Sequence, residues 1–259
     1  MLRNFIITIL SFLVLLTNVN AEKTTVFDFT DEEFKTLKVG KKYKGETTWT
    51  LGSNEKGNFI KAEAEGKGSG LGKEVLINLS KTPFINITWK VEKDLSGIIE
   101  NSKKGHDYAA RVFVIKKTGS TALSNRAINY VFSSNNEVGK NWPSPYTKKS
   151  IDYVLSTTQE NLDTWVTVKA NVKEDFMKLH GINVEDISGV AIMTDTDNSK
   201  LKAISYYQDI YFSAEWDYLN TFLRAILKKD KSTATITSSM GAAFGTAKFH
   251  KITPINQII

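Results

Sequence analysis

Gly189-Val190-Ala191-Ile192-Met193-Thr194-Asp195-Thr196-Asp197-Asn198 is the stretch on which the reading of this chain turns. Val190 to Met193 is a continuous apolar run with the length of a strand buried on both faces. It stops abruptly at two acids and an amide, residue types that end strands and bind ions or hydroxyls. Asp195 shares a face with Met193 and Ala191, so if that face is buried its charge needs a partner from a neighbouring strand.

Strand signals recur through the chain. Ile85, Ile87, Trp89 and Val91 alternate along one half-buried antiparallel strand. Tyr108 to Ile115 is apolar on both faces except for Arg111, as in a central strand. Residues 24–29, 47–51, 59–65, 127–133 and 165–168 read as further strands. Residues 203–212 read as the last, with Ile204, Tyr206, Ile210 and Phe212 alternating. The glycine-rich run Gly66-Lys67-Gly68-Ser69-Gly70-Leu71-Gly72 lacks the ending of a phosphate loop and reads as a flexible loop. Asn141 to Tyr146 reads as a proline-marked loop that exposes Trp142 and Tyr146. Val172 to Gly181 is a brief helix, with Val172, Phe176 and Leu179 on one side and Gly181 as its stop. Many short strands, frequent turns and one short helix predict an all-β fold, an antiparallel β-sandwich over residues 22–216. Beyond Trp216 a helical apolar stripe from Tyr218 to Leu227 and a small, polar tail predict a helical appendage over residues 217–259.

Composition narrows the classes. Of 259 residues, 41% are hydrophobic and 11% aromatic, enough for a packed core. Arg3, the apolar run Phe5 to Leu16 and Val19-Asn20-Ala21 form a cleavable signal peptide over residues 1–21, so the mature protein is expected in the periplasm or secreted. Nothing after the first twenty residues is long and apolar enough to cross a bilayer. There is no cysteine, which excludes disulfides, thiolate metal sites and a cysteine nucleophile. Of the net charge of +6, one charge leaves with Arg3 and four belong to the tail, so the sandwich carries +1. Its bases are scattered, which argues against nucleic-acid binding.

Three histidines, His106, His180 and His250, are too widely spaced for a histidine zinc site, and no serine sits in a nucleophile elbow. Asp195, Asp197 and Asn198 place hard oxygen ligands where calcium would take them, but Lys200 and Tyr206 stand where an EF-hand needs its glycine and bidentate glutamate. No cofactor is expected, and calcium is the one cation the pattern suits. Arg111 within an apolar strand needs a carboxylate, ideally in a bidentate pair, and Asp107 and Asp195 each offer one. Trp89, Tyr130, Trp142, Tyr146, Trp165 and Tyr207 supply aromatic planes, most of them for the core, with Trp142 the expected stacking platform.

Trp89-Lys90-Val91, residues 104–112, Asn129-Tyr130-Val131-Phe132, Trp165, residues 172–181 and residues 192–198 occur in an order that resembles the bacterial domain-of-unknown-function 3047 family. The resemblance covers about Phe27 to Ser213. It implies an exported β-sandwich like the jelly-roll, galactose-binding and carbohydrate-binding folds, and no established activity. His106 departs from the family, which tends to carry an acid there, and Ala170 stands where the family tends to carry arginine. The expected function is a non-catalytic binding domain for a glycan or similar polar ligand of the cell envelope. Asp107, Arg111, Asp195, Asp197 and Asn198 would be its polar cluster and Trp142 its platform. An enzyme acting on envelope polysaccharide through Asp195 and Asp197, and a purely structural module, are the alternatives.

Overall fold

The computed structural model describes residues 22–121 and 124–214, in which thirteen strands form two facing sheets. The predicted signal peptide and the appendage over residues 217–259 lie outside the described residues. Among the described residues no helix is long and apolar enough to cross a membrane.

The strands, in chain order, are β1 (Lys23–Phe27), β2 (Lys38–Val39), β3 (Thr48–Asn54), β4 (Gly57–Glu65), β5 (Gly68–Asn78), β6 (Phe84–Lys93), β7 (Ala110–Lys116), β8 (Arg126–Ser133), β9 (Asn141–Ser144), β10 (Thr147–Thr157), β11 (Val166–Asn171), β12 (Asp186–Asp195) and β13 (Lys202–Ser213). One sheet runs β11-β6-β13-β4-β3, with β1 also paired to β13; the other runs β2-β5-β12-β7-β8-β10-β9. Three short helices, α1 (Asp31–Phe34), α2 (Thr158–Asn161) and α3 (Val172–His180), lie on the connections. The expected sandwich is therefore the fold. It is not wholly antiparallel: β8 and β10 pair in parallel, because β10 returns between β8 and its own hairpin partner β9.

Alternation decides what fills the space between the sheets. Ile85, Ile87, Trp89 and Val91 of β6 face Val112, Val114, Ile128, Tyr130, Val190 and Ile192 across a single core. Trp89 is fully buried and donates its indole N–H to Ser156 Oγ at 3.0 Å. In α3 the Asn171 side chain caps Glu174 N–H, and Gly181 ends the helix at φ 68°, the left-handed conformation that favours glycine.

Three local readings are overturned, and a fourth point, which way β12 faces, is settled. The glycine-rich run is no loop. Gly68 to Gly72 open β5, whose alternation turns Ser69, Leu71 and Ile77 inward and Gly68, Gly70 and Gly72 outward. Its backbone lies so close on β12 that a Cβ at Gly70 would stand 2.8 Å from Ile192 O, and one at Gly68 2.4 Å from Asp195 Cβ. Residues 141–146 are not an open loop either, since β9 and a tight turn into β10 occupy them. In β13 a bulge at Asp209, φ 44°, shifts the register. Ala203, Ser205 and Tyr207 are therefore buried before the bulge and Ile210 and Phe212 after it, and Ile204 and Tyr206 face away. Finally, Ala191, Met193 and Asp195 line the outer face of their sheet, while Val190 and Ile192 enter the core.

Candidate functional site

The end of β12 and the start of β7 meet at Met193 and Arg111, the last pair of their ladder. Tyr207 reaches across the sandwich to this point, accepting Arg111 N–H at 3.1 Å and donating to Met193 O at 2.6 Å. The chain before β7 folds back against Asp195, whose N–H donates to Tyr108 O at 3.2 Å while its Oδ1 accepts Tyr108 N–H at 3.2 Å.

Arg111 Nη2 donates to Asp195 Oδ2 at 2.6 Å, and both residues are almost fully buried. The pair is single-pronged and not the bidentate fork that the sequence invites. The guanidinium is instead sandwiched by rings, its Cζ 4.8 Å from the Tyr108 centroid and 5.0 Å from that of Phe113. Its Nε–H is buried without an acceptor among the described residues.

Asp107 is fully buried and holds the loop after β12. Its carboxylate accepts Asn198 N–H, the Asn198 side-chain amide at 2.9 Å and Ser199 N–H at 2.5 Å. Asp107 thus shapes the site from behind. Asp197, 8% exposed, contrasts with it: among the described residues its carboxylate accepts no hydrogen bond, and Lys44 Nζ stands 3.9 Å away. Lys44 and Lys200 Nζ converge instead on the Asp197 carbonyl, at 2.7 and 2.6 Å. The nearby Lys44 ammonium lowers the pKa of Lys200.

A cleft of about 420 Å³ opens over these groups. Arg111, Asp195, Asp197 and Asn198 line it, joined by His106, Asn129, Ser144 and Ser150, with Tyr43 and Tyr146 at 37% and 57% exposure. Tyr146 contacts Asn198 Oδ1 at 3.0 Å and packs edge-on against His106. Sequence reasoning did not find His106 Nε2 at 2.9 Å from Asp152 Oδ2, nor Asp152 Oδ1 accepting the Asn129 amide at 2.7 Å, nor Ser150 Oγ on Asn129 Oδ1 at 3.0 Å. The register aligns Asn129 with Asp152, a signal that needs the unexpected β10.

Trp142, the expected platform, does not line this cleft. It sits in β9 and packs against a small cluster of Tyr108, Val131 and Val154 on the outer face of the sheet, its indole nitrogen buried. Tyr146, four residues on, holds the exposed position.

Asp107, Asp195 and Asp197 each bring a carboxylate oxygen within 4.8 Å of the others. Two are already engaged, Asp107 by N–H groups and Asp195 by Arg111, so a cation would have to compete with those bonds for all but Asp197. These oxygens also lie closer together than the carboxyl pairs of glycosidases, roughly 5–5.5 Å apart in retaining and 6.5–9.5 Å in inverting enzymes.

Burial, opposed by Arg111 and reinforced by Asp107, pushes the Asp195 carboxyl up to about 6. Its unfolded value is near 3.8, so between these pH values the folded chain binds more protons than the unfolded one. Stability from this group is fullest below about pH 4 and is lost as pH rises through about 6. Urea midpoints measured from pH 4 to 7 should fall more steeply for the wild type than for Asp195→Asn. Parallel profiles would assign the titration elsewhere.

The fold and the cleft define a two-sheet sandwich protein with a polar site on the outer face of one sheet. The chain belongs to the family described as "Protein of unknown function (DUF3047)", whose model matches residues 32–211. No curated protein matches it. Among solved structures it is similar to the family 30 carbohydrate-binding module of the cellulosomal cellulase Cel9D-Cel44B of Clostridium thermocellum. That match has 10% identity and a TM-score of 0.44, covering 75% of this chain and 98% of the module. It is also similar to a cellulase derived from Cel12A of Rhodothermus marinus (10% identity, TM-score 0.41, covering 75% of this chain and 96% of that one). A third is the xyloglucanase domain of NopAA, a type three effector from Sinorhizobium fredii (11%, TM-score 0.37, covering 64% and 87%). At these scores the likeness carries no ligand or reaction over to this chain.

Proposed function

We propose that the cleft binds a glycan without transforming it, in a protein exported to the cell envelope. One observation carries the reading. Arg111, almost fully buried, carries a donor with no partner among the described residues, and Asp197 a carboxylate that accepts no hydrogen bond there and meets Lys44 Nζ only at 3.9 Å, beneath the exposed rings of Tyr43 and Tyr146. Leaving buried polar groups unpaired costs about 1–3 kcal/mol each, so a ligand that pairs them binds with that advantage. A sugar has the needed chemistry: hydroxyls that donate and accept, and an apolar ring face for an aromatic side chain. Asn129, Ser144, Ser150 and Asn198 add neutral partners around the same space. The other surface aromatic group fits less well: Phe59, Trp165 and Tyr206 pack on one another at 56–71° and offer no flat platform.

The test is a glycan array followed by calorimetry on the mature protein. Binding is expected without metal and unchanged by calcium or chelator. Tyr146→Ala and Asp197→Ala should each weaken it about tenfold, a loss of about 1.4 kcal/mol, with little change in melting temperature. No binding across a broad glycan set, or binding indifferent to both substitutions, would sink the reading.

A further inference from the structure

The polar cleft does not stop at Arg111. A second depression of about 410 Å³ runs on from it along the same sheet face, sharing Lys41, Tyr43, Phe113 and Met193 with it. The register explains its shape. Gly72 of β5 lies beside Ala191 of β12, and Ala191 beside Phe113 of β7, so Gly70, Gly72, Gly189 and Ala191 keep the floor low between a ridge on β7 and the β2 edge, with Met193 at its cleft end and Glu74 at the other. Those flanks are three strand spacings apart, about 14 Å, and Gly189 to Asp195 spans about 20 Å at 3.3 Å per residue. That is a trough for a chain and not a hole for one ring.

We propose that the cleft is one end of this trough and that the ligand is an extended acidic polysaccharide lying along β12; this rests on reading the cleft as a glycan site. The bare floor alone would say nothing about an occupant. At its end the buried Arg111 Nε, without an acceptor among the described residues, and the Asp197 carboxylate, which accepts no hydrogen bond there and meets Lys44 only at 3.9 Å, call for a polar ligand. The charges at its side choose the class. Lys38, Lys41, Lys73 and Lys117 line the trough against one acid, Glu74. Lys73 pairs with Glu33 and Lys117 with Glu74, which leaves Lys38 and Lys41 with no carboxylate at ion-pair distance among the described residues. A uronic-acid chain satisfies both parts: carboxylates for the lysines, and apolar ring faces for the floor between them.

The experiment compares oligogalacturonates of increasing length with cello-oligosaccharides of the same lengths, by calorimetry on the mature protein at low and high salt. Affinity for the acidic series should rise about tenfold or more from the shortest member to one long enough to fill the trough, and that gain should shrink with salt. Lys38→Glu, an exposed change, and Ala191→Trp, which fills the floor, should each remove the gain and leave the shortest ligand unaffected. Far-UV circular dichroism and melting temperature check that Ala191→Trp folds, and Lys38→Glu decides the matter if it does not. Short ligands that bind with no gain from length overturn the trough and leave the cleft standing. Equal gains for the neutral series overturn the acidic class. If no member of either series binds, the acidic-chain proposal is overturned, and the glycan reading of the cleft is decided by the broad array.

Discussion

Arg111→Met is expected to lower stability at pH 7 by about 3–5 kcal/mol, the cost of leaving one member of a buried ion pair alone. Asp195 would remain almost fully buried, with a carboxylate oxygen of Asp107 and one of Asp197 within 4.8 Å. Its only remaining hydrogen-bond donor among the described residues would be Tyr108 N–H. Two controls separate charge from packing. Lowering the pH to about 5 should narrow the deficit, because the orphaned carboxyl takes up a proton. Adding Asp195→Asn should recover most of it, because no buried charge is then left over. Urea unfolding of the single and double variants measures both. A single variant within about 1 kcal/mol of wild type would mean that the pair is held apart by water and contributes as little as a surface bridge.

Asp107→Ala comes next, with an expected loss of about 2–4 kcal/mol from charge-assisted hydrogen bonds. Two backbone N–H groups and one side-chain amide of Asn198 and Ser199 lose their acceptor at once. The loss is tempered because Asp107 also repels Asp195. The distinctive readout is local: amide exchange at residues 196–201 should accelerate far more than in the sheets. Uniform acceleration across the protein would show that Asp107 supports the core and not the loop.

The stretch Gly189 to Asn198 was legible in the sequence because a strand and its charged end are local features. Arg111 was legible as well, since a guanidinium in an apolar strand is too costly to bury without a carboxylate beside it. Which way β12 faced was not. Val190 and Ile192 occupy one phase of the alternation and Ala191 and Met193 the other, all four apolar, so hydropathy cannot choose between them. β5 was missed because glycine carries no hydropathy signal, although Ser69, Leu71 and Ile77 keep the phase of a strand. The His106–Asp152–Asn129 network was out of reach for a different reason: it joins a loop to two strands whose parallel pairing no turn announces. Trp142 misled through its prolines, which a short edge strand such as β9 tolerates.

Because β10 slots between β8 and β9, Asp152 meets Asn129 only after the chain has left the sheet at Ser133, doubled back through β9 and returned. The hairpin of β3 and β4, by contrast, closes from Asn54 to Gly57 across two residues. His106 to Asp152 spans 46 residues, Arg111 to Asp195 84, and Asp107 to Asn198 91. Closing loops of that length precedes any reward from the contacts they bring, so such pairings come late. The cleft is thus expected to form with the long-range sheet pairings, after the local hairpins. Its defects are expected to quicken unfolding while leaving the early hairpins to form at their usual pace.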